Sequence, residues 1–152
     1  MLKHTVPCAD RRGALLWLSR DEVRRAIHAQ PVVKVPWQPC SDILDYSIDL
    51  PIDIVPIHQT LHQAGVRALV YSGDHDFVIP FSGTRDWVYK RMSLETIDPY
   101  SSWLIDGQVA GFRTKFKGDF TFATIKGAGH MTPQTNPAES LELLGRFLNA
   151  EL

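Results

Sequence analysis

The chain has 152 residues, 44% of them hydrophobic and 22% charged, close to the average of a soluble globular domain, so one domain with a core of its own is expected. A formal net charge of -1, with no cluster of five or more Lys and Arg, leaves no basic field for a phosphate backbone and argues against nucleic acid as a partner. No apolar stretch approaches the roughly 18 residues that span a bilayer. The start, Met1-Leu2-Lys3-His4-Thr5, lacks the apolar core of a signal peptide.

The chain begins abruptly, with no strand before Cys8, as a piece of a longer product would. Its two cysteines each follow a proline, in Val6-Pro7-Cys8 and Gln38-Pro39-Cys40, and neither has metal-ligand spacing. Taken alone they fit reduced core thiols, one internal bridge, or bridges to another segment, and spacing does not choose among these.

In chain order, Asp10 can cap a short turn through Ala14 to Leu18, and Ser19-Arg20-Asp21-Glu22 has the spacing of a capping box. A helix is expected from Arg20 to about His28, with Val23, Ala26 and Ile27 as its apolar stripe and Arg24 and Arg25 facing outward. Prolines 36, 39 and 51 make residues 32–51 mostly loop. A helix follows over 54–64, on Val55, Ile57, Leu61 and Ala64, and Gly65 stops it. The run Val66 to Tyr71 reads as a buried strand, and a helix from Arg85 to Met92 turns Trp87 and Val88 inward. Between 102 and 117 the sequence predicts a hairpin turned at Asp106-Gly107, then a strand from Phe120 to Ile125. The last helix is capped by Asn136 with Pro137 at its first position, and Leu141, Leu144, Phe147 and Leu148 form its expected buried stripe.

Two glycine-opened loops hold the chemistry. Tyr71-Ser72-Gly73-Asp74-His75-Asp76-Phe77-Val78-Ile79-Pro80 supplies acids, and Gly127-Ala128-Gly129-His130-Met131-Thr132-Pro133 supplies a histidine. Each follows an apolar run, the position at which open α/β sheets place their ligands. A hydroxyl nucleophile needs an imidazole to take its proton, and a carboxylate on the far ring nitrogen fixes the tautomer. His130 is the expected base and Asp76 its orienting acid, while spacing alone leaves Asp74 nearly as good. Asp followed by His in chain order matches the last two members of an α/β-hydrolase triad. No Gly-x-Ser-x-Gly occurs, so the nucleophile is expected on another segment. His58 and His62 lack the Glu of a zinc-hydrolase helix, and a surface helix explains them. His28 is expected to pack at a helix end, and His75 has no evident catalytic partner. Neither a metal nor any other cofactor is expected.

These residues carry a resemblance. Ser72-Gly73-Asp74-His75-Asp76 with Val78-Ile79-Pro80, Gly107-Gln108-Val109-Ala110-Gly111, and Thr124 through Pro133 resemble the C-terminal part of a serine carboxypeptidase. Val6-Pro7-Cys8 and Trp37-Gln38-Pro39-Cys40 are similar to the start of the small chain of plant two-chain members. The resemblance implies an α/β fold, the C-terminal portion of an α/β-hydrolase with a mixed, mainly parallel sheet flanked by helices. Residues 1–152 would then be one C-terminal segment, the nucleophile lying in a preceding part. It further implies Asp76 and His130 as triad acid and base, and a serine in a Gly-Glu-Ser-Tyr segment of a large chain. Cys8 and Cys40 would bridge to that chain.

By the same resemblance Met131 matches a wall of the pocket for the leaving residue, which favours apolar C-terminal residues of a peptide substrate. A homodimer of two-chain units and a secreted, vacuolar or lysosomal location are implied as well. Relatives on this scaffold include acyltransferases and hydroxynitrile lyases, and an inactive truncated product is the remaining alternative.

Overall fold

The computed structural model describes residues 12–29, 35–38 and 53–152, which fall into two compact units, one within Met1–Ile52 and one over Asp53–Leu152. Cys8, Cys40, the Asp10 cap and most of the expected loop at 32–51 lie outside the described residues.

In the first unit, α1 (Arg12–Leu18) and α2 (Asp21–Ala26) are short helices. The capping box does not form. Arg20 takes the N-cap position with no side-chain bond, because the Ser19 hydroxyl accepts the Trp37 N–H at 2.9 Å instead. The expected faces change too. Val23 is buried, Ile27 and His28 are exposed, and Arg24, expected outside, is buried. Its guanidinium donates to the Leu18 and Val35 carbonyls at 3.1 and 2.8 Å, which is how a cation can sit under cover when its donors are met.

The second unit is a four-stranded sheet with the order β1-β4-β3-β2, where β1 is Ala68–Gly73, β2 Thr96–Ile105, β3 Gln108–Phe116 and β4 Phe120–Ile125. One pairing, β1 with β4, is parallel, and β2–β3 and β3–β4 are antiparallel. The sheet is therefore mixed, but a parallel majority is not seen among these strands. The β2–β3 turn is the expected Asp106-Gly107, with φ of 48° and 74°, the left-handed pair that matches the twist of a hairpin.

β4 is buried along its whole length because helices cover both faces of the sheet. On one side Phe120, Phe122 and Phe116 pack with Val55 and Val88. These last two come from α3 (Val55–Gln63) and from the π-helical turn Trp87–Arg91 that continues α4 (Phe81–Asp86). On the other side Ala123, Ile125 and Trp103 pack with Leu143 of α6 (Pro137–Leu148), which follows the short α5 (Thr132–Thr135).

Two helices are rotated from expectation. In α3, Ile57 and Leu61 are exposed, while His58 stacks on Trp87 and His62 meets the edge of Phe120. Both histidines are thus half-buried, not surface groups. In α6, Leu143 and Phe147, four apart, face the sheet, whereas Leu141 is 72% exposed and Leu144 and Leu148 lie outward with it. Asn136 precedes α6 without capping it, its amide donating instead to the Lys126 carbonyl at 3.3 Å.

Candidate active site

The parallel pairing brings the two chemistry-bearing loops together. Gly73 at the end of β1 lies opposite Ile125 at the end of β4, so both loops leave the same edge of the sheet side by side. The approach is close: a Cβ at residue 73 would stand 2.3 Å from the Ala128 carbonyl oxygen and 2.6 Å from that of Gly129. Only glycine fits without moving the histidine loop.

Asp76 and His130 meet across this gap. The Asp76 Oδ2 accepts a hydrogen bond from His130 Nδ1 at 2.9 Å. Its Oδ1 accepts the Val78 and Ile79 N–H groups at 2.7 and 3.1 Å, an Asx-type turn that fixes the carboxylate plane. The Asp76 side chain is only 6% exposed and that of His130 46%, so the acid is enclosed and the imidazole opens to the surface. Removal from water pushes the Asp76 pKa up, but the His130 hydrogen bond and the two N–H donors outweigh it and hold the carboxyl below its usual range. An ionised acceptor at Nδ1 selects the tautomer with its proton there, leaving Nε2 as the basic nitrogen. Among the described residues Nε2 has no partner.

Asp74, the rival acid, points elsewhere, its Oδ1 accepting the Gly127 N–H at 2.6 Å. His75 is 71% exposed and stands 3.9 Å from Asp74, too far for a hydrogen bond. Ser72 is buried, with its hydroxyl on the Gly73 carbonyl at 3.4 Å, and so offers no free nucleophile. Met131 is 54% exposed beside His130. A hollow of about 220 Å³ opens over the pair, and Thr84, Thr132 and Pro133 join Asp76 and His130 in lining it. Thr84 carried no motif in the sequence, since it reaches the hollow from α4 through tertiary packing alone. Among the described residues no group of three or more His, Cys, Asp or Glu could hold a metal ion, and no helix is long and apolar enough to cross a membrane.

Strand, acid, helix, strand, histidine, helix, with acid and imidazole hydrogen-bonded at the carboxyl edge of the sheet, define an α/β protein whose histidine ring is oriented by a carboxylate. A family model described as "Serine carboxypeptidase" matches residues 1–150, and the chain belongs to that family, whose fold is the α/β-hydrolase. It is 41% identical over 145 residues to Serine carboxypeptidase-like 20 of Arabidopsis thaliana, covering 95% of this chain and 29% of the relative. Against Serine carboxypeptidase 1 of Hordeum vulgare it is 39% identical over 144 residues, covering 94% and 28%. The chain thus spans a little under a third of the relatives it matches.

Proposed function

We propose that this chain supplies the acid and the base of a serine-type carboxypeptidase, and that the nucleophilic serine lies on an N-terminal part joined to it. The observation that carries the reading is the Asp76–His130 hydrogen bond at 2.9 Å, with Nε2 of the same ring open among the described residues. In this mechanism Nε2 takes the proton of the serine hydroxyl as its oxygen attacks the C-terminal peptide carbonyl. The Asp76 carboxylate stabilises the imidazolium, which then protonates the leaving amine. Release of the C-terminal amino acid leaves an acyl-enzyme, and His130 activates the water that hydrolyses it. Nothing in this scheme calls on a metal or other cofactor.

Met131, exposed next to the base, forms a soft apolar wall for the leaving residue, and apolar C-terminal residues are the preferred substrates. Residues 1–152 act as a single C-terminal segment of the hydrolase domain. Cys8 and Cys40 bridge to the large chain, and the enzyme matures through an oxidising compartment toward a vacuole, lysosome or the exterior, where two such units can pair. The test is hydrolysis of a blocked dipeptide with C-terminal Phe by the full-length enzyme and its His130→Ala variant. Release of Phe by the parent alone supports the reading. Inactivity of both, with acyl transfer to an alcohol by the parent, would move the chain to transferase chemistry.

A further inference from the structure

We propose that Asp74 is a positioning residue that sets the height of His130 against Asp76, a role resting on the acid and base assignments above. Beyond the last paired residues, Gly73 and Ile125, the acid loop stays bonded to the histidine loop. Asp74 N–H donates to the Ile125 carbonyl at 3.2 Å and His75 N–H to the Ala128 carbonyl at 2.9 Å. The third link is the Asp74 side chain, whose Oδ1 accepts the Gly127 N–H at 2.6 Å. Gly127 has φ of 73°, so the chain turns left-handed here and directs this N–H toward the acid loop.

The side-chain link matters because the histidine loop has few anchors of its own. Among the described residues neither Gly129 nor His130 donates a backbone hydrogen bond. Within the turn, among the described residues, the one backbone bond is Ala128 N–H to the Ile125 carbonyl at 3.3 Å; the His75 N–H and the Asn136 amide hold its carbonyls, and Asp74 holds the Gly127 N–H. Asp76 sits two residues beyond Asp74 and His130 three beyond Gly127, so one carboxylate couples the bases of the two arms whose tips must meet. A carboxylate accepting a backbone N–H makes a strong bond, and this one spans 53 residues of sequence. Asparagine can still accept at this place, whereas alanine cannot.

The experiment uses the full-length enzyme with Asp74→Ala and Asp74→Asn, reading kcat and KM on the blocked dipeptide. In the substrate-free enzyme it also reads the low-field proton resonance of the His130 Nδ1–H bonded to Asp76. Misplacement of a reacting group by about 1 Å can cost about 10²-fold. Asp74→Ala should therefore lose kcat by about 10- to 100-fold at similar KM, with the resonance broadened or lost, while Asp74→Asn keeps most of both. Should Asp74→Ala not fold, Asp74→Ser, too short to reach Gly127, takes its place with the same expectation. Unchanged kcat and resonance in the alanine variant would overturn the proposal, as would equal damage by asparagine, which would make the charge and not the bond the active feature. If His130→Ala still turns over, the catalytic reading fails by itself. The resonance, which needs no turnover, then still decides whether Asp74 holds the pair together.

Discussion

Replacing Asp76 by asparagine changes one oxygen to an amide nitrogen, and the surrounding bonds determine which. Oδ1 already accepts two N–H groups, from Val78 and Ile79, so the amide oxygen keeps that place and the NH2 turns toward His130. An NH2 donates, so it demands an unprotonated Nδ1 and drives the ring proton to Nε2, the wrong tautomer for a base. Flipping the amide restores the tautomer but loses both N–H bonds, each worth about a factor of 5 in an equilibrium, so about one molecule in 30 retains a competent ring. Loss of the charge that steadies the imidazolium removes about another fivefold, because charge-assisted bonds are roughly twice as strong as neutral ones. Together these give about 10²–10³, and the same substitution in the Ser-His-Asp template reaches about 10⁴. The expected result for Asp76→Asn is a kcat lower by about 10²- to 10⁴-fold with KM nearly unchanged, in steady-state hydrolysis of the blocked dipeptide by protein of unaltered circular dichroism. A loss of less than about fivefold would refute the orienting role.

Gly73→Ala forces a Cβ to within 2.3 Å of a backbone oxygen in the histidine loop, so it should abolish hydrolysis while the sheet persists; an active variant would show that the two loops are free to separate. Phe122→Ala empties a fully buried position in β4 and should destabilise the fold by about 3–5 kcal/mol, read as a shift in denaturant midpoint. Because the folded-state pKa of Asp76 is depressed, its contribution to stability is complete above the unfolded carboxyl value of about 3.9 and is lost as pH falls through the lower folded value. The stability difference between parent and Asp76→Asn should thus hold at neutral pH and vanish in strong acid, and one that grew on acidification would reverse the sign assigned here. Met131→Glu should shift preference from apolar toward Lys and Arg leaving residues, measured as kcat/KM ratios across a dipeptide series; an unchanged ratio would remove Met131 from the pocket.

The parts of this molecule that could be read from sequence are those fixed by local chemistry. Asp106-Gly107 made its hairpin because left-handed backbone at two adjacent residues is what that dipeptide tolerates. Asp76 and His130 met because each follows a strand by a few residues and the two strands are parallel neighbours, a relation the glycine-opened loops announced. The choice between Asp74 and Asp76 was not legible, since it depends on which side of one turn each carboxylate leaves. The Ser19 and Asn136 caps failed for a related reason: each side chain found a distant backbone partner, Trp37 or Lys126, that competed with the local bond.

The helix faces were misread by a different route. Periodicity counts apolar residues without saying what covers them, and α6 carries two stripes, Leu143 with Phe147 toward the sheet and Leu141, Leu144 and Leu148 away from it. The second stripe borders an apolar hollow of about 360 Å³ that also takes in Leu69 and Tyr71 of β1, a strand bonded on one side only among the described residues. Under the proposed function, the N-terminal part that brings the serine is also what lies against this edge and closes the hollow. A helix apolar on two faces fits burial on both, and in the proposed enzyme the second stripe of α6 would join that larger core. The same inference applies to the acid loop. Phe77, at 95% exposure next to Asp76, gains nothing from standing in water, and its burial would enclose the site and strengthen the Asp76–His130 bond by lowering the dielectric around it. Under the proposed function, joining the two parts would therefore do more than deliver a nucleophile: it would change the medium around the Asp76–His130 pair.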